Sequence, residues 1–378
     1  MTKLEQLIEE LCPHGVEFKK IKDVYKRIKG TPITAGKMKE IETSDGEIRV
    51  FAGGKTVINA HESDIPNANI TRVPAVLVQS RGVIDVVYYD KPFTFKNEMW
   101  AYTADNQTAV KFLYYILKNN VQQFRDAASG MGALPQISLP VTEEFIMPVP
   151  PLEVQSEIVK ILDNFTELTA ELTAELTARK KQYEYYRYDL FSNAKGVEIT
   201  TLDRISENCD SQRKPVTSGQ REAGNIPYYG ASGVVDYVKD YIFDGDYLLI
   251  SEDGANLLAR STPIAFSISG KTWVNNHAHV LRFDEYATRR YVEMYLNSID
   301  LSHYITGGAQ PKLNQKNLNK IEIPLPPLDE QERIVAILDR FDALCNDISA
   351  GLPAEIEARH KQYEYYRDKL LTFKERIA

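Results

Sequence analysis

Two short clusters in the chain resemble the end of a phosphate-binding loop, in which backbone N–H groups and a lysine hold phosphates. They read Gly54-Lys55-Thr56 and Gly270-Lys271-Thr272. A functional loop needs an earlier glycine at a fixed spacing. Arg49 and Ala265 occupy those two positions, so the sequence predicts no nucleotide-binding loop.

Acidic and imidazole side chains could bind a metal ion. Glu252 and Asp253 are adjacent acids after an apolar run, and His277 and His279 alternate along a predicted strand, so both should face one side. A zinc site normally needs three or four ligands, and the pattern offers no third one. We therefore expect no metal site, and we expect the two acids to lie in an exposed loop.

Proline pairs could mark a methylase loop, because a DNA adenine methylase carries an Asn- or Asp-Pro-Pro-aromatic motif. Here the pairs are Pro150-Pro151 and Pro326-Pro327, and each is flanked by valine or leucine. Proline is tolerated at the start of a helix but not inside one. The pairs are therefore predicted to mark helix starts, and the chain itself is predicted to be non-catalytic.

The elements that must position any site are organised by an internal repeat. The segment Pro148–Phe165 returns as Pro324–Phe341 at an offset of 176 residues. The heptapeptide Lys-Gln-Tyr-Glu-Tyr-Tyr-Arg occurs identically at 181–187 and 361–367. Internal repeats of this kind indicate duplicated structural units, so the chain divides into two variable blocks, each followed by one repeat.

Both repeats are predicted to be helices with one apolar stripe at helical spacing. A single helix cannot bury such a stripe in water, so we expect the two repeats to pair as antiparallel, coiled-coil-like helices. Asp329 with Glu332 has capping-box spacing, and Gly351 and Pro353 should interrupt the second helix. The predicted helix–helix interface is Ile158, Ile161, Leu162, Phe165, Leu168 and Leu172 with Ile334, Ile337, Leu338, Phe341, Leu344 and Ile348.

The first repeat contains two successive Thr-Ala-Glu-Leu units at 169–172 and 173–176. A four-residue period nearly matches the helical turn, so each unit extends the helix by about 6 Å. We interpret this run as a spacer whose length is its function.

The predicted fold class is α+β, with two small α/β domains joined by the two helical repeats in a circular, pseudo-twofold arrangement. A short N-terminal helix is expected to pack with the second repeat. The predicted boundaries are 1–15 for that helix, 16–150 for the first domain, 151–195 for the central repeat, 196–326 for the second domain and 327–378 for the last repeat.

Composition restricts the function. The formal net charge is −8, which counts against a protein that simply coats DNA. No apolar run approaches the roughly 18 residues of a membrane span, so no membrane partner is expected. The three cysteines (Cys12, Cys209 and Cys345) have no disulfide or zinc spacing, which favours a reducing cytoplasm.

Two variable domains, each followed by a repeat that opens Pro-Pro-Leu-x-x-Gln-x-x-Ile-Val-x-Ile-Leu-Asp and closes Lys-Gln-Tyr-x-Tyr-Tyr-Arg, resemble the specificity subunit of Type I restriction-modification systems. The resemblance implies two target recognition domains that read a bipartite, asymmetric site on double-stranded DNA. It also implies that the helices set the unread spacer and dock two methylation subunits, and that restriction subunits can join for host defence. S-adenosylmethionine, ATP and Mg²⁺ would belong to those partners, with no cofactor on this chain.

The residues that touch DNA are predicted from side-chain type, since glutamine and asparagine suit adenine edges and arginine suits guanine or phosphate. Tyr183, Tyr186, Tyr363 and Tyr366 are instead expected to pack helices. The predicted DNA-binding residues are Lys29, Lys55, Gln79, Arg81, Lys96 and Gln136 in the first domain, and Arg213, Arg221, Arg260, Gln310, Lys312, Asn314, Gln315 and Lys316 in the second.

The two domains share apolar framework residues but differ at polar positions, with Gln79 and Arg81 opposite Ser251 and Asp253. Readers of two different half-sites would show this pattern, and so would drift of exposed loops after duplication. Two rival functions also remain. A single-chain methylase or nuclease would transfer methyl groups or cut DNA alone, and an interaction scaffold would show no salt-sensitive, sequence-dependent DNA binding.

Overall fold

The computed structural model describes residues 2–54, 56–129, 134–307, 310–347 and 349–376. The chain forms two compact units. Unit 1 contains residues 1–172 and 356–378, and unit 2 contains residues 173–355. Helices and sheets occur together in both, so the fold class is α+β.

Unit 1 consists of small sheets and the helices that cover them. Its strands and helices, in chain order, are α1 (Lys3–Leu11), β1 (Glu17–Lys20), α2 (Ile21–Val24), β2 (Lys26–Lys29), α3 (Ala35–Ile41), β3 (Ile48–Phe51), β4 (Val57–Ala60), β5 (Ala75–Gln79), β6 (Asp85–Tyr89), β7 (Phe93–Phe95), β8 (Trp100–Thr103), α4 (Gln107–Asn119), α5 (Val121–Asp126), α6 (Leu139–Glu143), β9 (Ile146–Val149) and the first part of α7 (Leu152–Ser192).

The main sheet of unit 1 has the strand order β2-β8-β5-β6, and a second sheet has the order β4-β3-β7. Strand β5 is buried along its whole length, since helix α4 packs on the main sheet through Leu113 and Ile116. Helix α3 buries Met38 and Ile41 in the core of the second sheet. Strand β1 pairs with β9 and closes the domain at the start of α7.

Unit 2 repeats this plan with different loops. Its strands and helices are β10 (Glu198–Thr201), α8 (Leu202–Ile205), β11 (Glu207–Asn208), β12 (Ala223–Gly230), β13 (Gly233–Val238), β14 (Phe243–Asp244), β15 (Tyr247–Ser251), α9 (Asn256–Ala259), β16 (Ala265–Ile268), β17 (Lys271–Val274), β18 (Ala278–Arg282), α10 (Tyr286–Ser298), α11 (Gln315–Leu318), β19 (Glu322–Leu325) and α12 (Leu328–Asn346); α13 (Leu352–Leu370) starts in this unit and continues in unit 1.

The main sheet of unit 2 corresponds to that of unit 1 strand by strand, and the second sheet of unit 2 has one strand more. The main sheet has the order β11-β18-β15-β16, the second sheet has the order β13-β12-β17-β14, and β10 pairs with β19. Strand β15 occupies the place of β5, and α10 packs on β15 and β16 as α4 packs on β5 and β6. The duplication seen in the sequence is therefore a duplication of the whole domain framework.

The apolar stripe of the first repeat has two kinds of neighbour in unit 1. Ile158 and Leu162 are fully buried in the same cluster as Leu113 of the domain core. Phe165 stacks on Tyr366, with ring centroids 5.7 Å apart, and also contacts Tyr363. Ile161, Leu168 and Leu172 are half-buried. The opening of the first repeat therefore lies against its own domain and against the closing segment of the second repeat.

The stripe of the second repeat behaves in the same way in unit 2. Ile334 and Leu338 are fully buried within the domain core, and Ile337 packs at its margin. Phe341 contacts Tyr186 at a centroid distance of 5.5 Å and Tyr183 at 6.3 Å. The tyrosines therefore pack helices, as predicted.

The most buried positions of each stripe pack into the core of their own unit, because each domain supplies an apolar surface that the sequence pattern did not reveal. The predicted pairing of one stripe with the other stays a prediction. Leu344 remains 37% exposed at the end of the second stripe. Ile348 lies outside the described residues.

The predicted capping box at Asp329 and Glu332 is also wrong. Helix α12 has Pro327 at its N-cap, without a side-chain cap hydrogen bond. Instead, the Gln331 side chain donates from Nε2 to the carbonyl oxygen of Pro326 at 2.7 Å. Gln155 makes the equivalent bond to Pro150 at 2.8 Å. In each repeat, therefore, a glutamine in the first turn of the helix bonds to the proline that follows the preceding strand.

The second repeat is interrupted as predicted, because α12 ends at Asn346 and α13 begins at Leu352. A Cβ atom on Gly351 would lie 2.5 Å from the carbonyl oxygen of Ala343, so this close turn requires glycine.

The N-terminal helix packs with the C-terminal segment inside unit 1. Leu4 of α1 and Leu371 are buried in one cluster. Val16 donates its N–H to the carbonyl oxygen of Lys374, and Arg376 donates its N–H to the carbonyl oxygen of Val16. The two ends of the chain therefore complete one domain.

Candidate nucleic-acid interface

The main sheet of unit 1 ends in a loop that a second segment holds in place. Ile137 donates its N–H to the carbonyl oxygen of Ser80 at 2.9 Å, and Gly82 donates its N–H to that of Pro135 at 2.9 Å. Arg81 and Gln136 are antiparallel bridge partners. We call residues 80–82 with 135–137 the unit 1 clamp. Gly82 has a φ of 77°, a conformation that favours glycine.

The corresponding loop of unit 2 has the same backbone connections. Leu313 donates its N–H to the carbonyl oxygen of Glu252 at 2.7 Å, and Gly254 donates its N–H to that of Pro311 at 3.1 Å. Asp253 and Lys312 are the bridge partners. We call residues 252–254 with 311–313 the unit 2 clamp. Its glycine, Gly254, has a φ of 108°.

The unit 1 clamp presents exposed hydrogen-bonding side chains. Arg81 and Gln136 are both exposed, and bridge partners of an antiparallel pair place their side chains on the same side. A cleft of about 640 Å³ adjoins the clamp and is lined by Gly54, Arg81 and Lys96 among others. Lys96 forms an ion pair with Glu98 at 2.9 Å. The structure thus brings three of the predicted DNA-binding residues to one surface.

The unit 2 clamp presents charges that are already paired. The Asp253 carboxylate contacts Nδ1 of His277 with both oxygens at 2.9 Å. The Lys312 ammonium lies 3.0 Å from a carboxylate oxygen of Glu252. Lys312 and His277 are exposed while Glu252 is buried. This surface therefore offers the Asp253 carboxylate as an acceptor, held by His277, and the Lys312 ammonium as a donor, held by Glu252.

A network of buried charges supports the unit 2 clamp. Arg213 donates to the Glu252 carboxylate at 2.6 Å and lies 3.4 Å from that of Asp210. The buried His279 contacts Asp210 through Nδ1 at 2.6 Å and the carbonyl oxygen of Leu313 through Nε2 at 2.7 Å. These contacts join the main sheet to the clamp.

The electrostatics of this network oppose the cost of burial. Burial by itself would raise the pKa of Asp210, but the hydrogen bond from His279 and the nearby positive charges bring it below the ordinary value. Burial likewise acts to raise the pKa of Glu252, and the hydrogen bonds from Arg213 and Lys312 lower it overall. Both groups are therefore held as carboxylates.

In unit 1, strand β8 carries a buried network of neutral groups. Trp100 donates from Nε1 to the hydroxyl of Thr142 at 2.9 Å, and the Tyr102 hydroxyl lies 2.7 Å from the same oxygen. Burial raises the pKa of Tyr102 well above its ordinary value. Ser80, at the position of Glu252, donates to the carbonyl oxygen of Glu98 at 2.5 Å.

Several predicted DNA-binding residues are instead part of the domain framework. Gln79 is 6% exposed. Arg213 is buried against carboxylates, as described above. Arg260 donates to the carbonyl oxygens of Leu296 and Ile299, where it caps the end of α10. Burial limits what Gln79 can contact, and the guanidinium groups of Arg213 and Arg260 already donate to acceptors within unit 2.

Arg221 has partners within unit 2 as well. It forms an ion pair with Asp236 at 3.0 Å, and its guanidinium lies 4.3 Å from the ring centroid of Tyr228.

The remaining predicted residues lie on surfaces. Lys29 is exposed at the end of β2, and Gln310, Gln315 and Lys316 are exposed near the unit 2 clamp segment 311–313. Asn314 caps α11 by accepting a hydrogen bond from the N–H of Asn317. Lys55 lies outside the described residues. DNA contact by any of these residues remains a prediction.

Asp253 and His277 lie at the unit 2 clamp but were not among the predicted DNA-binding residues. Glu252 and Asp253 were expected together in an exposed loop, which is wrong for Glu252 because Arg213 and Lys312 neutralise its charge inside the domain. The available signal was the correspondence of Arg81 with Asp253, which places an acid where unit 1 has an exposed base.

Among the described residues, no group of three or more His, Cys, Asp or Glu side chains could hold a metal ion. No helix in the described part of the chain has the length and apolar character that a membrane crossing requires.

Comparison with known proteins agrees with the duplicated framework. The sequence model of the Type I restriction modification DNA specificity domain matches residues 13–179 and again residues 194–358. The Escherichia coli EcoR124I/EcoR124II specificity subunit is 34% identical over 358 residues, which cover 86% of this chain and 87% of that subunit. A Haemophilus influenzae sequence named as a type I restriction enzyme specificity subunit is 40% identical over 183 residues, 47% of either chain.

A solved structure shares the fold. The S subunit of a type I restriction-modification system from M. genitalium superimposes with a TM-score of 0.66 at 18% identity, over 94% of this chain and 96% of that one. The chain therefore belongs to the Type I restriction modification DNA specificity domain family.

Proposed function

We propose that this chain is the sequence-specific DNA-binding subunit of a Type I restriction-modification complex, and that each unit contributes one target recognition domain. The observation that carries the proposal is the pair of clamps, which have the same backbone hydrogen bonds but different side chains at the bridge positions. A duplicated reader of two different half-sites needs this combination, since base edges are read by side chains. The double match to a DNA specificity domain supports the same assignment.

The chain itself would be non-catalytic and would work in the cytoplasm with partners. Two methylation subunits would bind S-adenosylmethionine and methylate adenine, and restriction subunits, where present, would use ATP and Mg²⁺. Exposed tyrosines on the helical repeats offer amphipathic surface for such partners. They are Tyr185, Tyr188 and Tyr365, which are 65%, 75% and 64% exposed. Partner subunits could also supply phosphate contacts that an acidic chain lacks.

The test is to map adenine methylation in host DNA with and without the gene for this chain. A bipartite motif that vanishes with the gene, and returns when the gene is restored, is the expected result. Methylation that persists unchanged would contradict the proposal. Methyl transfer by the purified chain alone would instead support the alternative that the chain is itself a methylase.

The helical repeats are proposed to set the unread spacer. Inserting one more Thr-Ala-Glu-Leu unit after Leu176 lengthens α7 by about 6 Å, against about 3.4 Å per base step. The expected result is a methylated spacer longer by one or two base pairs, with both half-sites unchanged.

The matched control for the insertion keeps the length of α7, for example Thr173→Ala at an exposed position. It should leave the spacer as it is. An insertion that altered a half-site, or left the spacer unchanged, would argue against this role of the helices.

A further inference from the structure

We propose that Arg81 with Gln136, and Asp253 with Lys312, read bases in opposite half-sites, and that positions 81 and 253 set the hydrogen-bonding class of the base that is read. The inference rests on the proposed function, because it assumes that each unit faces DNA through its clamp. It adds the residues that decide specificity and the kind of base that each selects.

The first reason is that the two positions are structurally equivalent. Each follows the buried central strand of the main sheet, each has a bridge partner in the second clamp segment, and each precedes a glycine with positive φ. In both clamps the flanking N–H and C=O groups bond to each other. Side chains are therefore the groups that these clamps can offer to a ligand.

The second reason is the chemistry of the unit 1 pair. Arg81 is exposed, and no described residue accepts a side-chain hydrogen bond from its guanidinium. Arginine matches the O6 and N7 acceptors of guanine, and glutamine matches adenine. We therefore expect a guanine opposite Arg81 and an adenine next to it, opposite Gln136.

The third reason is the chemistry of the unit 2 pair, in which an acid stands at the position of Arg81. A carboxylate near DNA is repelled by the phosphates, so Asp253 needs a hydrogen-bond donor on the ligand. Among base edges in the major groove, cytosine N4 is the donor that aspartate accepts. His277 occupies only part of the acceptor capacity of this carboxylate. Lys312, held by Glu252, suits the guanine beside or across from that cytosine.

The experiment uses the complex of this chain with its methylation subunits and a DNA library in which both half-sites are randomised. Selected DNA is sequenced for the wild type and for Arg81→Ala, Asp253→Ala and the isosteric Asp253→Asn. Each alanine variant should lose roughly 5- to 150-fold of the discrimination at one base pair. The two affected base pairs should lie in opposite half-sites. Asp253→Asn should shift the preference from cytosine towards adenine, which asparagine matches.

Matched controls are Lys91→Ala in unit 1 and Asp284→Asn in unit 2, which change exposed charges outside both clamps. They should leave the motif as it is. The inference is overturned if the variants keep the wild-type motif, or if Arg81 and Asp253 affect the same half-site. A wild-type complex without any bipartite preference would overturn the proposed function itself. The isosteric variant and a thermal melt separate a change in readout from a loss of folding.

Discussion

The two units share one backbone plan but stabilise it with different chemistry behind the clamp. In unit 2, Glu252 and Asp210 are buried carboxylates held by Arg213 and His279. In unit 1 the hydroxyl of Ser80 stands at the position of Glu252 and donates to a main-chain carbonyl, and the buried side chains of Trp100, Tyr102 and Thr142 form a neutral network. The main-chain hydrogen bonds of the clamps are the same in both. The comparison shows that the same backbone framework forms with different buried polar side chains. The exposed clamp residues can therefore differ between the units as well.

The attachment of each domain to its helix shows a similar contrast. Asp163 of α7 accepts hydrogen bonds from the Tyr115 hydroxyl at 2.6 Å and the Lys111 ammonium at 2.5 Å. Its counterpart Asp339 of α12 accepts from Arg290 at 2.8 Å, and from Tyr286 at 3.1 Å. The repeat retains the aspartate, while each domain supplies its own donors.

Stability can be measured for each unit separately because the chain contains two tryptophans. Trp100 belongs to unit 1 and Trp273 to unit 2. Replacing one with phenylalanine leaves the fluorescence of the other as a reporter of its own unit during unfolding in denaturant.

The largest effect is expected for Glu252→Ala. Its unfolding is measured by the fluorescence of Trp273. The variant leaves the Arg213 guanidinium buried without its closest carboxylate, so the free energy of unfolding of unit 2 should fall by about 3–5 kcal/mol. The matched variant Ser80→Ala removes one neutral hydrogen bond and should cost unit 1 about 1 kcal/mol. Equal costs for the two variants would show that the buried charges are not what distinguishes the units.

A smaller difference is expected at the helix attachments. Tyr115→Phe removes a short hydrogen bond from a buried ring to a carboxylate, so unit 1 should lose about 1.5–3 kcal/mol. Tyr286 is exposed and its bond is longer, so Tyr286→Phe should change unit 2 by about 0.5 kcal/mol or less. The two phenylalanine variants are each other's control. A larger loss in unit 2 would contradict this ranking.

The smallest effect concerns pH. The pKa of Asp210 is lower in the folded state, so its contribution to stability is present above the ordinary carboxyl pKa of about 4 and is lost as pH falls through the folded value. Unit 2 should therefore unfold more easily in acid. Asp210→Asn should weaken this pH dependence, whereas the exposed Asp284→Asn should not. If the stability of unit 2 fell equally in acid for Asp210→Asn and the wild type, the role of Asp210 in the buried charge network would be contradicted.

The sequence by itself determined the duplication, the α+β class and the positions of the helical repeats. Their signals are local: identical motifs, proline pairs that stop strands and start helices, and apolar residues at helical spacing. The break before α13 was also predicted from a local signal, because the close turn at Gly351 has no room for a Cβ atom.

The tertiary structure alone decided what each stripe packs against and which polar side chains remain available. Ile158 and Leu162 are covered by the domain core, and Arg213 and Arg260 meet intramolecular acceptors far away in sequence. Residue type gives the capacity to form a hydrogen bond or to bury apolar area. Only the fold brings Arg81 next to Gln136, and Asp253 next to Lys312, because those partners are more than fifty residues apart in the chain.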